Sequence, residues 1–305
     1  MEEKNLPTIS VVVATRNRGV LPVATVQSIL LNDYPHFEMI VVDQSTIDLT
    51  ATAIAPLTSD PRLHFLPTAT HGLGEARNLG ISQASGEIIA ITDDDCQVPT
   101  HWLKELVAAF SQDSRIGIVF GNVFPGEYNA AAGFISSYIR RDSCLARSIG
   151  DKHKVEGMGA CMGLRRSVWH SLHGFDPMLG AGSRLKSAED TDFVIRTLLA
   201  GYYVYETPKL FVTHHGFRTW VEGRPLIRGY MFGLGAMLVK QLRCGHWPVL
   251  QVFFRLAWRW AFAEPVINFG YCPPRFARLT SFIQGCFAGF LCPINKAKGH
   301  YSFRK

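Results

Sequence analysis

The stretch GEIIAITDDDCQVP, residues 86 to 99, runs an apolar segment into three consecutive aspartates, Asp93, Asp94 and Asp95. Carboxylates this close repel one another unless a cation lies among them, and oxygen ligands suit Mg²⁺ or Mn²⁺, ions that commonly bridge substrate phosphates. A solvated acidic turn ahead of the next helix would account for the same residues without an ion. A second acidic group, Glu189 and Asp190 with Asp192, opens the segment SAEDTDFVIRTLLAGY. A carboxylate at a helix N-terminus is favoured in its ionised form, which suits a base at neutral pH and is also ordinary helix design.

The elements that must position these groups follow from apolar patterning. TISVVVATRNR is a β-branched run ending in a polar turn, VLPVATVQSILLNDYP has helical spacing and stops before Pro35, and FEMIVVDQS is a second strand. A helix from Asp48, the strand LHFLP, a helix around residues 73 to 84 and the strand EIIAITDDD complete a β-α-β-α-β-α-β order. Near-continuous apolar strands alternating with helices predict an α/β fold with a mostly parallel sheet covered on both faces. Ligands of such sheets bind outside the carboxyl ends of the strands, where the Thr15 to Arg18 turn, Asp43 and Asp93 to Asp95 fall. A helix over 101 to 112 and the strand RIGIVFGNV come next, then a glycine-rich, irregular stretch over 124 to 185, then the acidic helix and the strand KLFVTHHG. The string GLGEARNLG departs from GxGxxG at Arg77 and follows the third strand, which argues against a Rossmann dehydrogenase.

With 305 residues, 47% hydrophobic and 18% charged, the chain can bury a full core and is not disordered. Its charge is uneven. Residues 225 to 305 hold 11 Lys or Arg against the single acid Glu264, a net of +10, so the whole-chain +6 leaves −4 for residues 1 to 224. A tail that is basic, aromatic and apolar favours an anionic membrane surface over nucleic acid. Within it Gln251, Arg255 and Arg259 form one narrow polar stripe at helical spacing, and the two arginines with Glu264 argue against a spanning helix. Leu279 to Ile294 is 16 residues, about 24 Å as a helix and short of the roughly 30 Å hydrocarbon core. The expectation is in-plane, monotopic attachment with arginine stems reaching the headgroups. The competing reading is a helical lid packed on the catalytic body or on the twin subunit of a homodimer. The polar, acidic start MEEKNLPTIS and seven cysteines without a CxxC pair, among them Cys161 and Cys272, predict a cytosolic chain with reduced thiols.

Taken together, VVVATRNR, IVVDQS, GLGEARNLGISQASGEIIAITDDDC, GFDPML and SAEDTDFVIRTLLAGY resemble the family 2 glycosyltransferases with the GT-A fold, in order over residues 8 to about 215. The resemblance implies a catalytic domain over 1 to 224, with a nucleotide-sugar half to about 122 and an acceptor half beyond, followed by the tail. It makes Asp43 the reader of the base, with Gln44 where the family often has a second acid, and sets Thr15 and Arg18 beside base and ribose. Arg77 and Asp94 join the donor site; Asp93 and Asp95 match the Asp-x-Asp pair that holds ribose and the Mn²⁺ or Mg²⁺ ion, and His214 or His215 matches a late histidine near the metal. Asp190, beside Glu189, matches the catalytic base of an inverting transfer. Cys161 and Met162 stand where the family's sugar pocket commonly has a small polar residue, and no Gln-x-x-Arg-Trp is present, so a non-processive enzyme of bacterial type is implied. The implied partners are a nucleotide-sugar donor and a hydroxyl acceptor, and the basic, amphipathic tail points to an acceptor that is lipid-linked or otherwise membrane-held at the inner face of the cell membrane. Two other readings stay open: a non-catalytic nucleotide-sugar binding module at a membrane, and a sugar nucleotidyltransferase, which would carry a glycine-rich basic loop where ATRNRGVLP has only Gly19.

Overall fold

The computed structural model describes residues 6–262 and 275–302; Glu264, Cys272 and the Arg259 side chain lie outside the described part. Chain order begins β1 (Ile9–Thr15), α1 (Leu21–Leu30), β2 (Phe37–Asp43), α2 (Leu49–Ile54), β3 (Leu63–Pro67), α3 (Leu73–Gln83) and β4 (Ile88–Asp93). It continues through the short β5 (Cys96–Gln97), α4 (Trp102–Phe110), β6 (Ile116–Pro125), β7 (Gly133–Ile135), β8 (Cys144–Ala146), β9 (Met162–Arg165) and α5 (Arg166–Ser171). The acidic helix is α6 (Glu189–Leu199), followed by β10 (Tyr203–His214) and β11 (Phe217–Thr219). Three helices close the described chain, α7 (Trp220–Arg243), α8 (Val249–Phe262) and α9 (Arg275–Leu291), with a small hairpin of β12 (Ile294–Asn295) and β13 (His300–Tyr301).

The main sheet has the order β3-β2-β1-β4-β9-β6-β10-β5, and β8 adds to β10. The first four strands are all parallel, as expected from β-branched runs buried on both faces. Their register sets Thr15 beside Asp43 and Ala14 beside Asp93, so the polar residues that end three strands share one edge. Helix α3 lies close over this half because Gly80 has no side chain: a Cβ there would stand 2.6 Å from Val12 Cγ1.

Two departures from the sequence reading have physical causes. Within the irregular stretch, MGLR forms β9, antiparallel to both β4 and β6. Four residues beside glycine carry too little alternation to announce a strand. Strand β10 also begins at Tyr203 rather than after Pro208, because a register shift between Glu206 and Phe211 carries the pairing with β6 past the proline.

The tail is joined to the body rather than appended to it. Helix α7 starts at Trp220 with a capping box, the Thr219 hydroxyl accepting from the Glu222 N–H and the Glu222 carboxylate from the Thr219 N–H, so the expected boundary at 224/225 falls inside a helix. Met237 and Leu238 of α7, Val249 of α8 and Phe282 of α9 share one apolar cluster with Met178, Leu185 and Ile195 of the body. At its centre the fully buried Lys240 Nζ lies 2.7 Å from both Asp176 Oδ2 and Asp192 Oδ1. Arg196 Nε (2.9 Å) and Gln241 Nε2 (2.6 Å) add donors to Asp192, and the Tyr301 N–H donates to Asp176 at 2.8 Å. One side of these helices is thus packed on the body, and Arg255, expected to reach headgroups, instead donates Nη1 to the Gly150 carbonyl at 2.8 Å.

Candidate active site

A cavity of about 640 Å³ opens at the carboxyl edge of the sheet, between the ends of β1 and β4, the N-terminus of α6 and the inner faces of α7 and α8. Arg18, Arg77, Asp93, Asp94, Asp95, Glu189, Asp190 and His214 all line it, so eight of the ten residues singled out for donor, metal or catalytic roles converge. Thr15 is buried at the end of β1 and faces a side recess of about 190 Å³ shared with Gln44 and Gly72. Asp43 is buried too, and its Oδ1 accepts the Ser45 N–H at 2.9 Å. Gln44 donates its side-chain amide to Thr70 Oγ1 at 3.0 Å and to the Gly72 carbonyl at 3.2 Å, which makes it a brace for the loop before α3.

The three aspartates are not equivalent. Asp93 Oδ1 pairs with Arg77 Nη2 at 3.2 Å, Asp94 Oδ1 with Arg18 Nε at 3.3 Å, and Asp95 with both Arg18 Nη2 and His214 Nε2, the latter at 3.1 Å. Burial pushes the Asp94 carboxyl up to about 6 against the pull of Arg18. Burial would raise Asp95 as well, yet the hydrogen bond and charge of His214 hold it below its ordinary value.

His214 rather than His215 is the histidine of the site: His214 is buried and His215 exposed. Its Nδ1 lies 2.9 Å from the Ser136 carbonyl, which fixes that nitrogen as the donor. The lone pair of a neutral Nε2 would then face the Asp95 carboxylate. That arrangement is stable only with a proton or a cation between the two, and the raised pKa of His214, won by Asp95 against the cost of burial, is the protonic form of it. The Asp95 carboxylate with one oriented imidazole is a partial donor set that Mn²⁺ would accept, whereas Asp93 is turned to Arg77 and is not in the group of clustered ligand atoms. Asp95, Cys96 and His214 present ligand atoms within 4.8 Å of one another, but the Cys96 thiol is driven well up by burial and stays protonated. Gly216 closes the site, since a Cβ there would stand 2.5 Å from His214 Nε2 and 2.6 Å from Asp95 Oδ2.

Across the cavity Arg77 joins the two acidic groups, with Nη1 3.1 Å from Glu189 Oε1 and Nη2 on Asp93. Gly159 admits that guanidinium, because a Cβ there would lie 2.8 Å from Nη2. Burial, reinforced by the negative Asp190, pushes Glu189 up to about 7 in spite of Arg77. Asp190 Oδ2 accepts the Gly159 N–H at 3.2 Å and Oδ1 the Thr191 N–H at 2.6 Å, so its carboxylate is oriented by backbone donors. Cys161 and Met162 are wholly buried behind this wall; Gly157, Met158, Gly159 and Ala160 line the cavity in their place. Sequence reasoning also missed Lys152, Lys186, Arg218 and Arg255, cations on the cavity wall. The run DKHK inside the irregular stretch was the available signal for the first of them.

This geometry is that of an α/β protein with two acidic groups, one at its strand ends and one at the start of α6, facing the same cavity. The Glycosyl transferase family 2 profile matches residues 10–172, more than half of the chain, and the protein belongs to that family. It is 30% identical over 148 residues to the GalNAc(5)-diNAcBac-PP-undecaprenol beta-1,3-glucosyltransferase of Campylobacter jejuni, covering 47% of each chain. It is 27% identical over 220 residues to the putative colanic acid biosynthesis glycosyl transferase WcaA of Escherichia coli, covering 70% of this chain and 75% of WcaA. The chain spans about half the length of the Campylobacter relative and 24% to 32% of two others. Among solved structures, the mannosyltransferase PcManGT of Pyrobaculum calidifontis in complex with GDP-Man and Mn²⁺ superposes with a TM-score of 0.62 at 18% identity, covering 95% of this chain and 88% of that one. The fold is thus GT-A.

Proposed function

We propose that the protein moves a single sugar, with inversion and metal dependence, from a nucleotide diphosphate sugar to a hydroxyl of a lipid-linked acceptor in cell-surface polysaccharide or glycan synthesis. A UDP-sugar is the first donor to consider. The observation that carries this reading is the convergence of Asp93, Asp95 and His214 with Glu189 and Asp190 on one cavity.

In this reading Asp93, Asp95 and His214 hold Mn²⁺ or Mg²⁺, which when bound offsets charge on the leaving diphosphate. Arg18 and Arg77, now paired with Asp94, Asp95, Asp93 and Glu189, exchange those partners for donor oxygens. Thr15 and Asp43 serve the nucleoside end from the buried edge of the sheet, and Asp94 supports the ribose side. Asp190 takes the proton of the acceptor hydroxyl as it attacks from the face opposite the diphosphate, and the backbone N–H groups of Gly159 and Thr191 keep the carboxylate aimed. Glu189 holds Arg77 in place.

The acceptor side has a distinct chemistry. Ile149, Leu226, Met231, Leu234 and Val252 give it an apolar wall, and Lys152, Lys186 and Arg218 stand on the same cavity. Apolar surface beside cations suits an amphiphile with an anionic head and a hydrocarbon chain, as a lipid phosphate-linked glycan has. The name of the Campylobacter relative, which specifies an undecaprenol-linked acceptor, supports this class. A lipid-linked acceptor would place the enzyme at the cytoplasmic face of the membrane.

The test is a thermal-shift screen against UDP, GDP, CDP and dTDP and their common sugars, each with and without Mn²⁺. A ligand that binds only the folded state raises the melting point according to its concentration relative to its Kd. A metal-dependent shift with one nucleotide, followed by release of its sugar with and without acceptor, supports the proposal. No shift with any nucleotide and no donor turnover would refute it.

A further inference from the structure

Most of the large apolar residues of α9 face away from the protein. The side facing the protein carries Arg278, Ser281, Phe282, Gly285 and Gly289, all buried. The contact with α7 is a backbone contact: a Cβ on Gly285 would stand 1.9 Å from the Phe232 carbonyl oxygen, and one on Gly235 2.2 Å from the Phe282 oxygen. Gly285 and Gly289, four residues apart, are the small-residue spacing by which helices approach closely in lipid. Outward stand Phe276, Leu279, Ile283, Phe287, Phe290 and Leu291, each more than half exposed and spaced by about one turn into a single stripe.

Charge decides what covers this stripe. Residues 275 to 305 contain six Lys or Arg and no Asp or Glu. Arg243 donates Nη1 to the Gly289 and Cys292 carbonyls at the end of α9, and Lys296 and Lys298 lie exposed just beyond. Two copies meeting through this face would oppose like charges, whereas an anionic bilayer would attract it. With 17 residues α9 measures about 25 Å, and no described helix is long and apolar enough to cross a membrane.

We infer that α9 lies in the plane of an anionic membrane surface, with the Phe276 to Leu291 stripe among the acyl chains and the basic residues at the headgroups. This deepens the proposed lipid-linked acceptor and rests on it only for its purpose. Because α7 both carries α9 and lines the cavity, docking would bring the apolar wall of the site to the lipid.

The experiment is co-sedimentation of the full chain with vesicles of phosphatidylcholine plus phosphatidylglycerol, and of phosphatidylcholine alone, beside the double variant Ile283→Glu/Phe287→Glu. The wild type should bind the mixed vesicles, less so at high salt, and the variant should lose about tenfold or more in bound fraction while keeping the Mn²⁺-dependent nucleotide shift. Should the double glutamate variant fail to fold, Ile283→Ser/Phe287→Ser and Lys296→Glu/Lys298→Glu test the same two components separately. Wild-type protein that ignores mixed vesicles, or variants that bind them equally well, would overturn the inference. So would light scattering that shows a dimer dissociated by the stripe substitutions. Vesicle binding without any nucleotide shift would leave this inference standing and remove the donor reading.

Discussion

Replacing Lys240 by Met keeps most of the side-chain volume and deletes one charge from a place without solvent. Lys240, Asp176 and Asp192 are each 0% exposed at the side chain. With Arg196 the cluster balances two positive against two negative charges; the variant leaves a net negative charge buried. His300 cannot replace the lost cation at neutral pH, because burial and the nearby Arg196 push it down to about 4. Removing one partner of a buried ion pair costs about 3–5 kcal/mol, and at roughly 2–4 °C per kcal/mol for a chain approaching this size the melting point should fall by about 6–20 °C. The pH dependence gives a second check. Burial alone would raise the Asp192 carboxyl, but Lys240 and Arg196 hold it below its ordinary 3.8, so its contribution is present above about pH 4 and lost as pH falls below that. The deficit of Lys240→Met should therefore be full from neutrality down to about pH 4 and shrink only as pH falls below that. Adding Asp176→Asn should recover part of it. A Lys240→Met protein within about 1 kcal/mol of wild type by denaturant titration at pH 7 would refute the view that this cluster locks the tail to the body.

Gly216→Ala should keep the fold, by circular dichroism, and abolish Mn²⁺-dependent stabilisation in thermal-shift assays, because the new Cβ would stand 2.5 Å from His214 Nε2. Glu189 has a folded pKa raised from 4.5 to about 7, so it costs stability progressively as pH rises between those values. The melting point of Glu189→Gln should fall less than that of wild type between pH 5 and 8, read as the difference between the two curves; parallel curves would contradict the assignment.

Legibility in the sequence followed the range of the forces involved. The strand-helix alternation from Ile9 to Asp93 was readable because apolar period and turn residues are local, and from it the shared edge of Arg18, Asp43 and Asp93 to Asp95 follows. The acidic start of α6 was readable for the same reason. Side-chain direction was not readable: Asp43 turns to Ser45, and Gln44 braces the Thr70 to Gly72 loop. Nor did the segment around Cys161 announce that its cavity wall is formed by Gly157 to Ala160, with Cys161 and Met162 packed into the core. The choice between His214 and His215 needed the Ser136 carbonyl, 78 residues away in sequence. In the tail, apolar spacing revealed helices but not which side met the protein. That depended on Gly235 and Gly285 letting two backbones touch, with the large side chains of α9 left outside.

The most direct measurement is the turnover of Asp190→Asn with the donor that the nucleotide screen identifies. With Asp190 as the base, the Mn²⁺-dependent nucleotide shift should be unchanged and kcat lower by about 10²–10⁴-fold, the usual contribution of a positioned general base. Turnover equal to wild type with donor binding intact would contradict the assignment of Asp190 as the group that takes the acceptor's proton.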